Sequence, residues 1–289
     1  METSFNAAES LPPIFSAASL QDYTDCRRRF QLRYLLHLAW PAIESDPVLE
    51  NERYIQRGIA YHRMIHQYLL GLTSDQVTGQ VQGPDLSRWW KHFIDSTKSG
   101  SLSRLADEQF TSYPEIVVSA PLSSVRLLAR YDLVQIGLDG HIIIYDWKTS
   151  QKYPARNRLT NRLQTRIYPY LFVKAGSYLN QGRSIQPDAV EMVYWFAEFP
   201  ERPERFFYTD AQFEADEQYL IGLIDEISRL SRDEFKLTNQ IERCRFCVYR
   251  SLCERGIEAG LMTERDLDAD FDEIENIQID LDNIVGIAS

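Results

Sequence analysis

The chain has 289 residues, 44% of them apolar and 25% charged, the mix of a soluble globular protein with enough length for a large core. No apolar run approaches the length of a membrane span, and Met1–Pro13 lacks the basic-then-apolar layout of a secretory signal, so a cytoplasmic compartment is expected. The net charge of −11 does not exclude a polyanionic partner, because it is localised: Met262–Ser289 carries nine acidic residues and one arginine, −8, leaving −3 for the preceding 261 residues.

In chain order, residues 1–13 read as a disordered arm. Ser16 or Ser19 caps a helical segment running to about His37, containing Cys26, the basic run Arg27-Arg28-Arg29, and Phe30 and Tyr34 at helical spacing; Trp40-Pro41 ends it. A second helix, about Glu50–Leu70, carries Gly58, His62 and His66. Gly71–Asp85 reads as a polar loop, and two short helices follow around Trp89–Ser96 and Leu102–Phe110. Strands are expected at Glu115–Ser119, Val125–Ile136, His141–Trp147, Ala189–Phe199 and Arg205–Tyr208. A helix over Asn157–Tyr178 lies between them, and a long amphipathic one over Asp210–Leu230 follows, with Phe213, Leu220, Ile224 and Ile227 on its apolar face. Strands in a meander, a helix, another strand and covering helices make an α/β sandwich with a mixed sheet, one domain over residues 14–261, followed by the acidic tail 262–289.

The densest chemistry lies in Ala129–Thr149, two strands joined by Leu138-Asp139-Gly140. A three-residue loop with Gly140 at positive φ pairs Gly137 with His141, and therefore Asp132 with Asp146. Lys148, two residues on, points the same way as Asp146. Facing carboxylates repel unless a cation lies between them, and hard oxygen donors suit Mg²⁺ or Mn²⁺. The surrounding Ile142-Ile143-Ile144-Tyr145 and Trp147 are apolar on both faces, so this strand is covered on both sides and its terminal charges are costly.

Three of the four cysteines form Cys244-x₂-Cys247-x₅-Cys253, and the fourth, Cys26, lies far upstream. In a cytoplasmic chain this spacing points to a thiolate metal site, either zinc or an iron–sulfur cluster, and spacing leaves both open. Between Trp147 and Lys174 there are seven lysines and arginines and no acid, a surface that could follow phosphates or be a solvated face; Arg27–Arg29 and Arg245 offer a second basic cluster near the cysteines. No G-x₄-G-K-[S/T] phosphate loop is present, so an ATP-driven motor is not expected.

Phe15–Cys26, Gly58-x₃-His62, Asp132, Asp146-x-Lys148, Gln164-x₃-Tyr168 and the cysteine trio occur in one order. That order resembles the RecB-type branch of the PD-(D/E)XK nucleases, and within it the iron–sulfur members: the C-terminal nuclease of AddB helicase–nucleases and the CRISPR-associated adaptation nuclease. The resemblance covers about Phe15 to Arg255. It implies a restriction-endonuclease-like αβββαβ core and a metal held by His62, Asp132, Asp146 and the carbonyl of Trp147. It makes Asp132, Asp146 and Lys148 the catalytic group and Gln164 and Tyr168 the residues that orient the site or contact DNA. Cys26, Cys244, Cys247 and Cys253 become ligands of a [4Fe–4S] cluster, and Glu115 an accessory acid. Arg27 stands where a proline usually follows the first cysteine, and Ala129 where a glycine usually opens the Asp132 motif. The implied activity is Mg²⁺- or Mn²⁺-dependent hydrolysis of DNA, most often at single-stranded ends, in repair, recombination or CRISPR adaptation, with a helicase or an adaptation protein as partner. Two alternatives stand beside it: a DNA-binding scaffold with a vestigial site, and a nuclease carrying structural zinc.

Overall fold

A computed structural model describes residues 12–39, 46–256 and 258–261. Eight α-helices among the described residues cover a six-stranded mixed sheet: β1 Ile14–Ser16, α1 Ala17–Asp25, α2 Arg27–Phe30, α3 Asp46–Leu69, α4 Ser74–Thr78, α5 Pro84–Ser99, β2 Phe110–Leu122, β3 Val125–Gly137, β4 Ile142–Lys148, α6 Arg156–Thr160, α7 Leu163–Ala175, β5 Val190–Phe196, β6 Glu204–Phe207 and α8 Asp210–Arg229. The expected α/β class with a mixed sheet is what forms. No described helix is long and apolar enough to cross a membrane.

The sheet runs β1-β3-β4-β5-β6, with β2 on the other edge of β3. β2 pairs along the whole of β3, antiparallel, from Phe110↔Gly137 to Leu122↔Val125. The opposite edge of β3 is shared: β1 takes Arg126–Leu128 in parallel, and β4 takes Leu133–Ile136 antiparallel. Between those two ladders β3 has no strand neighbour on that edge among the described residues, and the sheet forks. β4 then pairs in parallel with β5 along its full length, and all seven of its residues are buried, five of them apolar as in a strand covered on both faces.

Each face has its own core. Tyr61 and Ile65 of α3, Trp89 and Phe93 of α5, and Trp147 and Trp195 of the sheet fill one; Leu20, Phe30, Ile167, Leu171, Leu220 and Ile224 from α1, α2, α7 and α8 fill the other. Strand alternation sorts β4 between them, Ile143, Tyr145 and Trp147 to the first and Ile142 and Ile144 to the second. On β3 the alternation slips: Val125, Leu127, Ala129 and Tyr131 share a core with Val134 and Ile136, so the phase inverts at Asp132–Leu133. β2 inverts at the same level, where Ile116, Val118 and Ala120 share that core with Tyr113 and Glu115 takes φ 51°. Glu115 and Asp132 occupy matching register positions between the pairs Pro114↔Leu133 and Ile116↔Tyr131. A left-handed non-glycine inside a strand costs of order 1–3 kcal/mol, so this double kink is sustained by the packing around it.

Several sequence expectations need correction. The helix expected to run unbroken to His37 stops at Cys26, which is extended at φ −162°, and resumes as α2 and a π-turn over Gln31–Leu35. No proline or glycine signals that break; it turns the Cys26 side chain toward the C-terminal cysteines. The Asn157–Tyr178 helix divides into α6 and α7, the Gly71–Asp85 loop contains α4, and the two short helices are α5 and a single 3₁₀ turn over Ser103–Ala106. β1 was not foreseen, being three residues long with no visible alternation, and β2 is far longer than Glu115–Ser119. Trp40-Pro41 and the tail lie outside the described residues.

Candidate active site

The hairpin closes as its glycine dictates. Gly140 has φ +86°, its N–H donates to the Gly137 carbonyl (2.9 Å), and the Gly137 N–H donates to the His141 carbonyl (2.8 Å). The register Leu133↔Tyr145 follows, and the next step along it sets Asp132 against Asp146 at the mouth of the fork. Because the ladder ends one pair earlier, the two strands diverge there and each carboxylate is drawn to a different face.

Asp132 turns to α3. Its Oδ1 lies 3.1 Å from His62 Nδ1, and its Oδ2 accepts the Trp147 N–H at 2.7 Å. The Tyr54 hydroxyl, two turns before His62, donates to the Thr149 carbonyl (2.9 Å), so α3 is tied to the end of β4 and His62 is carried over the fork. Asp146 turns to α7. Its Oδ1 accepts from Gln164 Nε2 (2.6 Å), its Oδ2 lies 2.7 Å from Lys148 Nζ, and Lys148 Nζ in turn donates to Gln164 Oε1 (3.2 Å). Lys148 Nζ also lies 5.6 Å from the centre of the Tyr194 ring, whose hydroxyl meets Thr165 Oγ1 at 2.8 Å. Gln164 thus satisfies the carboxylate with its N–H and the ammonium with its carbonyl, which a buried ion pair requires.

Electrostatics separate the carboxylates. Burial pushes Asp146 up to about 6, Asp132 adding to the shift and Lys148 opposing it. Burial pushes Asp132 the same way, but His62 and the Trp147 N–H outweigh it and hold it below the usual carboxylate range. Burial works against a charged His62, yet Asp132, Glu115 and Asp146 together lift it to about 9. Glu115 is raised by burial and by Asp132.

Among the described residues, His62, Glu115 and Asp132 bring three donor atoms within 4.8 Å of one another. One imidazole nitrogen and two carboxylates form a donor set that fits Mn²⁺ or Mg²⁺. Asp146 is not part of this triple, and Glu115 enters it more closely than its strand position announced. The signal that could have revealed it is the phase inversion shared by β2 and β3. Arg130 Nε donates to Glu115 Oε2 (2.8 Å), and His66, one turn beyond His62, lies near Arg130, outside the donor triple. Tyr168 is buried against the Tyr131 ring, centres 4.9 Å apart, and its carbonyl accepts the Tyr131 hydroxyl, so it braces α7 on the sheet.

The sequence profile of the PD-(D/E)XK nuclease superfamily matches residues 14–254, which span the whole sheet, both site-bearing helices and all four cysteines. The chain belongs to the PD-(D/E)XK nuclease superfamily. Comparison with curated proteins finds no match. Similar solved structures include a candidate exonuclease from Eubacterium rectale, 10% identical, covering 79% of this chain and 85% of that one at a TM-score of 0.47. Another is SSO0001, 14% identical, covering 83% of this chain and 85% of that one at 0.38. The PD-(D/E)XK fold gives the forked sheet its meaning, since a fork leaves the ends of two strands open to one another and to a ligand.

The cysteines lie at the edge of this nuclease domain, Cys244 buried and Cys26, Cys247 and Cys253 half-buried. Burial raises the thiols of Cys244, Cys247 and Cys253, and each of the three also senses Cys26. Of the basic stretch Trp147–Lys174, Lys148 is paired with Asp146 within the site, and three more residues are engaged with acids outside it: Arg156 with Glu204, Arg166 with Asp216 (2.6 Å) and Lys174 with Glu217 (2.8 Å). These cations brace α6 and α7 against β6 and α8, so the stretch is in large part an internal ion-pair layer.

Proposed function

We propose that this protein is a RecB-type, divalent-metal-dependent deoxyribonuclease that cuts single-stranded DNA ends. The observation that carries the reading is the fork, where Asp132 with His62 and Asp146 with Lys148 meet from opposite faces of the sheet. His62, Asp132, Asp146 and the Trp147 carbonyl would hold Mg²⁺ or Mn²⁺. When bound, that ion supplies Lewis-acid polarisation of the scissile phosphate and a lowered pKa for the attacking water. Lys148 keeps an ammonium beside Asp146, where it orients a water and opposes charge growing on the phosphate. Gln164 fixes both partners, and Tyr168 holds α7 in place so that Gln164 cannot drift.

The cysteines support a [4Fe–4S] cluster in this reading. Cys26, Cys244, Cys247 and Cys253 would supply its four thiolates, and a single tetrahedral zinc is the alternative for the same donors. A separate helicase or a CRISPR-adaptation protein would deliver the strand.

The test is degradation of an end-labelled single-stranded oligonucleotide with Mg²⁺ or Mn²⁺. Asp146→Asn should lower the rate by about 10²–10³-fold and leave the circular dichroism spectrum unchanged. Mn²⁺-dependent cutting that persists undiminished in the variant would refute the assignment and favour a scaffold with a vestigial site.

A further inference from the structure

Glu115 lies in the middle of β2 with φ 51°. Glycine takes that left-handed conformation freely, and asparagine and aspartate reach it because their short side chains bond nearby backbone. A glutamate has neither advantage. What the kink achieves is the placement of its carboxylate. At the gap between the pairs Pro114↔Leu133 and Ile116↔Tyr131, Glu115 and Asp132 leave the core that Ile116 and Tyr131 share. Both turn toward α3, where a donor atom of each lies within 4.8 Å of the other and of His62.

The two sides of the fork differ in their readiness for a cation. On the α7 side, Asp146 already faces an ammonium, Lys148 Nζ at 2.7 Å, and Gln164 bonds to both. Those two side chains are only 6% and 4% exposed, and separating a buried pair leaves an uncompensated charge, which is costly. On the α3 side, His62 and Asp132 are each 15% exposed and Glu115 is 13% exposed. An entering ion therefore meets two carboxylates and an imidazole there without displacing Lys148.

Glu115 has a duller explanation, as the ion-pair partner of Arg130, whose Nε donates to Oε2 at 2.8 Å. That bond engages one oxygen of the carboxylate. A carboxylate has two oxygens and about four acceptor positions, so the pair leaves capacity for an ion. Liganding carboxylates are themselves commonly held by outer hydrogen bonds, which fix their direction. Arg130 thus orients Glu115 as much as it occupies it.

We infer that Glu115 is a ligand of the fork's divalent cation, which loads at His62, Glu115 and Asp132 while Asp146 stays with Lys148. In the absence of DNA the ion is held by Glu115, and Asp146 enters the ligand set with the substrate. The inference rests on the reading of the fork as a divalent-metal site; which nucleic acid is cut does not enter it.

The experiment titrates MnCl₂ into the full chain without DNA, at one pH, and reads the loss of the free-Mn²⁺ paramagnetic resonance. Glu115→Gln, close in size and uncharged, should weaken Mn²⁺ binding by about 10–100-fold. Asp146→Asn should bind as the parent does. Arg130→Gln keeps the Glu115 carboxylate and should retain the binding that Glu115→Gln loses. The acidic segment 262–289 is present in every variant and contributes equally. Should Glu115→Gln melt at a much lower temperature than the parent, Glu115→Asn, which suits the left-handed backbone, repeats the test. Parent-like binding without the Glu115 carboxylate, equal loss in Arg130→Gln, or no binding by the parent overturns the inference. Binding lost in Asp146→Asn overturns it too and leaves the nuclease reading standing. Glu115-dependent binding by a protein that cuts no DNA would uphold the inference and sink only the nuclease reading.

Discussion

His62 and Asp132 show how two residues define each other's charge. An imidazolium facing the Asp132 carboxylate at 3.1 Å, with Glu115 and Asp146 close by, is stabilised by their charge, which lifts His62 to about 9 against its burial. A folded-state pKa above the unfolded value of about 6.5 contributes stability that is complete below that value and vanishes as pH rises through about 9. Metal-free protein should therefore melt at a lower temperature at pH 9 than at pH 6.5. Mn²⁺ needs the neutral imidazole, so the gain in melting temperature on adding it should grow over the same window, read by differential scanning fluorimetry in pH-matched buffers. A metal-induced gain that shrinks with rising pH would remove His62 from the ligand set. On the other side of the fork, the raised Asp146 carboxyl is stabilised as an ion by Lys148 and Gln164, a pair held in place before any metal arrives.

The β3–β4 hairpin is the element on which the site depends, and its turn tests that dependence. An added Cβ at Gly140 would meet nothing within 4 Å, so only backbone strain at φ +86° opposes a side chain there. Gly140→Ala should lower stability by about 1–2 kcal/mol, measured by urea denaturation, and leave cleavage intact because Leu133↔Tyr145 pairing persists. Loss of cleavage at unchanged stability would mean the turn acts on the site by another route. The hairpin was legible in the sequence because turn chemistry and strand period act locally. The fork was not: it needs β1 on Arg126–Leu128 of β3 and β4 on Leu133–Ile136, and three residues of β1 carry no periodic signal. The break at Cys26 is likewise silent in the sequence: the residue is extended between α1 and α2 with no proline or glycine to mark it.

At the scale of the molecule, the cysteines would join the first helices to the last described segment, and Gln31 and Arg28 already bridge the same two regions by hydrogen bonds. A cluster bound there, as proposed, would contribute to folding directly, because the unfolded chain would not present the site. Protein purified without oxygen should be brown with broad visible absorbance and roughly four iron atoms per chain. Oxidative loss of the iron should lower the melting temperature. Colourless protein with one zinc and the same stability would establish the alternative metal.

The sequence by itself determined the α/β class and the hairpin register, because turns and strand period are written locally; His62 and Gln164 were set beside Asp132, Asp146 and Lys148 only by a resemblance in motif order. Tertiary structure decided what local rules do not encode. It turned the two carboxylates to opposite faces, because the paired phase inversion at Glu115 and Asp132 exists only when β2 and β3 are aligned. It brought Glu115 to His62 and consumed much of the Trp147–Lys174 basic stretch in pairs with β6 and α8. Charge in a sequence is a count; whether it faces a carboxylate or solvent depends on contacts between segments far apart in the chain.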